Sequence, residues 1–130
     1  MKNWKIALTS LFMAGLLFCN CDKYQSTIGG NATCFNSNDN TTYPAAFAVI
    51  SKMKKENDSL VLVTSVLADA NGYFLFDHTT RGTWILKGKK QINDSTFYIG
   101  FSDEFSTDGV NHTDMNIQLE LKAAENNTQE

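Results

Sequence analysis

The 130-residue chain holds little of what most sites and scaffolds are built from: one proline, two histidines and three cysteines. A single proline excludes a proline-rich stalk. Three cysteines cannot staple a disulfide scaffold. Two imidazoles and no Cys-x-x-Cys leave a metal centre poorly supported, so no metal or cofactor is expected. Charged residues make up only 19% of the chain, and the net charge of −3 gives no footing for nucleic acid. There is no Gly-x-Ser-x-Gly, no His-Glu-x-x-His and no phosphate loop, so no enzymatic activity is expected. No apolar run reaches membrane-spanning length. Ile6 to Phe18 is the longest, and its helix would cover about 20 Å, short of a bilayer core.

What the chain does hold is polar but uncharged. Asn and Thr number 13 each, a bias toward turns and exposed strand faces over long helices. The hydrophobic fraction of 42% suffices for one modest core.

Lys2 and Lys5 followed by the run Ile6 to Phe18 have the charge and length of an export signal, which assigns residues 1–20 to a signal peptide. Cys19-Asn20-Cys21 stands where a small-residue cleavage site would be. A Cys directly after the apolar stretch resembles the lipobox of bacterial lipoproteins. In that family the Cys becomes the first mature residue and carries the lipid. The family wants a small residue before the Cys, which favours Cys21, after Asn20, over Cys19, after the bulky Phe18. The resemblance implies attachment to the membrane through the N-terminal lipid, at the outer membrane or cell surface in preference to the inner membrane. Loss of Lys2 and Lys5 leaves 9 basic against 14 acidic residues, so attachment would rest on acyl chains, not on charge. With Cys21 lipidated, Cys34 is an odd thiol; with Cys19 lipidated, Cys21 and Cys34 could pair.

Residues 21–43 hold Gly29-Gly30 and many Asn, Ser and Thr, and read as a flexible tether with at most a short strand at Ala32 to Phe35. From Pro44 the chain reads as strands. Ala46 to Ser51 is the first, followed by a charged turn from Lys52 to Asp58. Ser59 to Ala68 and Tyr73 to Asp77 form a hairpin about the Asp69 to Gly72 turn. Thr83 to Lys87 is next, with a turn over Lys89 to Asp94. Thr96 to Phe101 turns Phe97, Ile99 and Phe101 to one face. Met115 to Leu121 alternates most cleanly, with Asn116, Gln118 and Glu120 facing out. The expected fold is all-β, a small antiparallel sandwich of six or seven strands over residues 44–122, followed by a disordered polar tail, 123–130. Its core would draw on Phe47, Phe74, Phe76, Trp84, Phe97 and Phe101.

The stretch Asp69 to Leu86, DANGYFLFDHTTRGTWIL, resembles the signature hairpin of carboxypeptidase regulatory-like domains, which belong with prealbumin-like and Cna-B-like sandwiches. Asp69, Gly72, Phe74, Phe76, Gly82, Thr83 and Trp84 occupy the family's positions, and Pro44 precedes a strand similar to the family's first. The usual glycine-containing strand before Pro44 is hard to find, and Thr79-Thr80 lacks the usual Pro. The resemblance implies an Ig-like sandwich that accompanies catalysis in metallocarboxypeptidases without carrying it. Cna-B-like domains sometimes carry a Lys–Asn isopeptide, for which Lys52 and Asn116 are the pair available, without a matching motif around them.

Asp69-x-Asn71-Gly72 begins like a calcium loop, but its twelfth position is Thr80, so it reads as a turn. The loop from Ser102 to Asp114 is the candidate binding loop, with Asp103, Glu104, Asp108, Asp114, His112 and an exposed Phe105. These features favour a non-catalytic envelope lipoprotein that displays a β-surface to protein or carbohydrate. Two alternatives stand beside it. One is an accessory subunit of an envelope enzyme or uptake complex. The other is a transthyretin-like small-molecule hydrolase, for which His78 and Arg81 are available.

Overall fold

Period-two alternation and turns of Asn, Asp and Gly give nine strands in the computed structural model, which describes residues 25–123. They are β1 (Ser26–Asn36), β2 (Thr41–Pro44), β3 (Val49–Glu56), β4 (Ser59–Leu67), β5 (Tyr73–Thr79), β6 (Gly82–Asn93), β7 (Thr96–Phe101), β8 (Phe105–Thr107) and β9 (Ile117–Ala123). The signal segment, Cys19, Cys21 and the tail from residue 124 lie outside the described residues.

Seven strands run in the order β2-β1-β9-β7-β6-β3-β4, with β5 added on β1 and β8 on β6. β1 spans both layers of the sandwich. Its first half pairs with β5 and its second half with β2 and β9. The β1–β9 pair is parallel and all the other strand pairs are antiparallel. The fold is therefore an all-β sandwich, with nine strands in place of six or seven and one parallel seam.

The largest departure from the sequence reading is β1. Residues 21–43 read as a tether, yet Ser26–Asn36 form an eleven-residue strand and Thr41–Pro44 a second. The side chains β1 buries are small: Ile28, Ala32 and Cys34 are fully buried. Gly30 lets the chain before β9 come close, because a Cβ there would sit 2.2 Å from the Met115 carbonyl oxygen. Strands of the sandwich therefore stand before Pro44, within the supposed tether.

Other expectations shift by smaller amounts. β3 runs through the supposed charged turn to Glu56, and Asn57-Asp58 alone make the turn, both at positive φ as a tight two-residue hairpin requires. β6 likewise runs through Lys89 to Asn93. β5 does not pair with β4 but crosses to β1, so Asp69 to Gly72 joins the two layers. Gly72 sits at φ 81°, with its Cα against the Ala32 carbonyl.

Inward-facing residues from β1, β3, β5, β6, β7 and β9 share one core that includes Ile28, Ile50, Phe74, Phe76, Leu86, Tyr98, Ile117 and Leu119. Phe74 and Phe76 meet edge to face, with centroids 6.2 Å apart. The face expected for β7 is inverted. Tyr98 is buried and meets the ring of Tyr43 edge on, whereas Phe101 is 54% exposed. Phe47 is also outside, 65% exposed in the turn before β3 at φ 59°.

Candidate functional site

The β1 strand leaves β5 and joins β9 at Asn31 to Thr33, and the split between layers opens a groove on the outer surface. Its volume is about 370 Å³, and Asn31, Thr33, Asn116, Ile117 and Gln118 line it. Strand alternation sets this lining. Ala32, Ile117 and Leu119 point into the core, so Asn31, Thr33, Asn116 and Gln118 point out. None of the five carries a charge.

The groove is held by main-chain bonds around it. Met115 N donates to Gly29 O at 3.0 Å, and Gly29 N to His112 O at 2.8 Å. Asn31 N donates to Asn116 Oδ1 at 3.1 Å. With its oxygen fixed, the Asn116 amide offers its NH₂ to the groove as a donor. On the β5 side, Tyr73 lies opposite Asn31 and is 41% exposed, and Leu75 beside it is 39% exposed. Both side chains reach across Gly29, where a Cβ would meet Leu75 Cδ1 at 3.1 Å and the Tyr73 hydroxyl at 3.4 Å. A flat apolar shelf thus adjoins a trough of amides and a hydroxyl. Such a surface can stack the apolar face of a ring and hydrogen-bond its substituents.

The acidic loop is tied to the sandwich by several of its own side chains. Glu104 pairs with Lys55 and Asp108 with Arg81, each at 2.8 Å. Phe105, expected to be exposed, is half-buried against the core in β8, and His112 tilts over its ring at 5.3 Å. His112 Nε2 lies 3.0 Å from the Ser106 carbonyl oxygen. Asp103 and Asp114 are exposed, and no group of three metal-ligating side chains forms among the described residues. The loop is a strap fastened at several points along its length.

The signature residues are structural. Asp69 Oδ1 accepts from Asn71 N and Tyr73 N, both at 2.9 Å, which is a turn and not a cation loop. Pro44 ends β2 on the sheet edge, where its missing N–H costs nothing. Gly82 and Thr83 open β6 and lead to buried Trp84. His78 Nδ1 lies 3.0 Å from Gln25 Oε1, and neither histidine lines the groove.

A second polar cluster lies inside the sandwich. Lys52 is buried and donates from Nζ to Thr79 Oγ1 at 2.9 Å, with the Trp84 ring centroid 5.0 Å away and that of Phe76 5.3 Å away. Burial pushes its ammonium pKa below the usual lysine value. Trp84 Nε1 donates to Thr107 Oγ1 at 2.9 Å, and that hydroxyl donates to Thr80 O at 2.7 Å. Ser26 Oγ is buried nearby without a partner, on the residue paired with Thr79. Lys52 and Asn116 are not brought together for a crosslink, since Lys52 is internal and Asn116 is exposed. Cys34 is a buried free thiol whose pKa burial pushes up.

Sequence reasoning turned Asn116 and Gln118 outward and set Tyr73 on a strand, but left Asn31 and Thr33 within the supposed tether, Thr33 in the short strand allowed there. Their partnership depends on a strand pairing 85 residues apart in the chain. The only local signal is the Asn after Gly29-Gly30.

No family model and no curated protein matches the chain. Among solved structures, the chain is similar to a proposed carbohydrate-binding protein from Pseudomonas aeruginosa. The TM-score is 0.51 at 13% identity, over 76% of this chain and 90% of that one. A second match, an (S)-allantoin synthase, has a TM-score of 0.41 at 10% identity, over 80% of this chain and 46% of that one. At these identities the first likeness speaks to fold alone, and the second carries no argument.

Proposed function

We propose that this chain is a non-catalytic binding module of the bacterial cell envelope, anchored through lipid on Cys21 or Cys19, that takes a neutral saccharide on the outer face of β5, β1 and β9. The observation that carries the reading is the uncharged trough of Asn31, Thr33, Asn116 and Gln118 beside the Tyr73–Leu75 shelf. Sugars present ring hydroxyls that donate and accept, together with one apolar ring face. Amides can answer the hydroxyls and an aromatic ring the apolar face, without any charge. The carbohydrate-binding role proposed for the Pseudomonas protein of similar fold supports the ligand class. The carboxypeptidase regulatory-like resemblance supports a module that works without turnover.

The test is retention of the full chain on insoluble chitin, cellulose and peptidoglycan, followed by titration with soluble chito- and malto-oligosaccharides. Asn116→Ala and Tyr73→Ala should each weaken binding about tenfold, as expected for one lost hydrogen bond or one lost stacking ring. No retention on any of these glycans, or retention indifferent to both substitutions, overturns the reading. The anchor is tested separately, by the intact mass of the membrane-extracted N-terminal peptide. An unmodified cysteine there would remove the lipid without touching the saccharide site.

A further inference from the structure

β4 ends the strand path and, among the described residues, pairs only with β3, so its outer N–H and C=O groups face outward. Its sequence, SLVLVTSVL, contains no charged residue, no proline and no glycine. Edge strands in monomers are commonly guarded by lysine, proline, shortness, a bulge or cover, and among the described residues this nine-residue strand has only the bulge at Val63. Seven consecutive residues, Ser59 to Ser65, are exposed. Leu60, Val61, Leu62 and Val63 expose 41, 44, 59 and 51% of their surface, and Leu67 exposes 66%. Neighbours along a strand point to opposite faces, so from Leu60 to Val63 both faces of β4 are apolar and exposed, while Val66 packs against the core. The register shift opposite Lys52 and Met53 leaves Val63 as an extra residue, and the smaller layer does not cover β4 from below.

The apolar surface continues onto Val49, which pairs with Leu67, and onto Phe47. Together these side chains offer on the order of 600 Å² per copy, the low end of what each side of a stable interface buries. Charge points to the occupant. The chain is net −3, so two copies repel unless they meet where no charge stands, and β4 is such a place. A second copy brings the same uncharged strand, and antiparallel pairing across a two-fold axis lets identical open edges satisfy each other.

We propose that β4 pairs with β4 of a second copy, antiparallel, so that one sheet runs through a symmetric dimer. Across such an axis the dimer displays two copies of the β5–β1–β9 groove on one particle. The contact stands whether or not that groove takes saccharide.

The full chain, extracted in mild detergent, is examined by size-exclusion chromatography with light scattering. The expected mass is that of two copies. Val63→Asp places like charges at the axis and should weaken association about a hundredfold. Leu62→Lys should act the same way, and both positions are exposed, so the fold is retained, as far-UV circular dichroism will verify. Val63→Cys should give a disulfide-linked dimer on a non-reducing gel of whole cells, whereas Asn57→Cys at the hairpin tip should not. A monomer up to the solubility limit overturns the proposal. So does a dimer indifferent to Val63→Asp and Leu62→Lys, or a stoichiometric complex in which β4 is covered by a different protein.

Discussion

Lys52 and Thr79 meet inside the sandwich, Nζ to Oγ1 at 2.9 Å, with the rings of Phe76 and Trp84 closing over the ammonium. The folded state disfavours the proton that an unfolded Lys52 keeps. Folded protein therefore binds fewer protons than unfolded protein just below pH 10.5, and stability rises with pH as that value is approached from below. Lys52→Met removes the buried charge and keeps the volume. It should be about 1 kcal/mol more stable than the parent at neutral pH, with the advantage fading toward the unfolded lysine pKa. Urea unfolding at pH 7 and pH 10 checks this; equal destabilisation at both would contradict it.

Trp84 should be costlier to change than Thr107, because Trp84 supplies both a buried ring and the N–H that donates to Thr107 Oγ1. Trp84→Phe leaves Thr107 Oγ1 still donating to Thr80 O but without its own donor. The expected cost is about 3 kcal/mol, from the lost bond and from the volume left empty. Thr107→Val keeps the ring and leaves the indole N–H only its longer bond to Thr80 O at 3.3 Å, at about 1 kcal/mol. Denaturant midpoints for the two variants test the ordering.

Gly72→Ala should be damaging on two counts. Its φ of 81° disfavours any side chain, and the new Cβ would come 2.3 Å from the Ala32 carbonyl oxygen. Strain and overlap together should cost about 3 kcal/mol. Because Ala32 N donates to Gly72 O, hydrogen exchange at Ala32 should accelerate in parallel.

Cys34 should be silent toward alkylating reagents in the native protein. It is fully buried, and burial holds its pKa above the usual thiol value, so thiolate is scarce and inaccessible. Mass-detected iodoacetamide labelling at pH 8 should modify it only in urea. Rapid labelling without urea would mean that β1 opens locally.

The strands that were legible in the sequence are those whose buried members are large. β5 carries Phe74 and Phe76, and β9 carries Ile117 and Leu119, so alternation stands out. β1 was hidden because it buries Ile28, Gly30, Ala32 and Cys34, mostly small residues chosen for close approach of backbones, a pattern that also suits a linker. β7 misled for the opposite reason. Phe97, Ile99 and Phe101 outweigh Tyr98 in apolar character, yet Tyr98 is the buried member and packs on Tyr43, which itself came from the supposed tether. Half of the groove was visible as the outward amides of β9. The other half needed the parallel pairing with β1, which no local pattern announces.

That pairing also bears on when the molecule becomes itself. Residues 32–35 lie beside residues 117–120, so the parallel seam, one strand in from the β2 edge of the larger layer, joins the two ends of the described chain. Such distant contacts make assembly slow, because loop closure precedes any gain from packing. During synthesis from the N-terminus, β1 can pair with β2 and β5 before β9, the last of the nine strands, is made. Until then the larger layer stays open between β1 and β7, although β3, β4, β6 and β7 can already pair with one another. The seam that ties the two groups of strands together closes only once β9 is present.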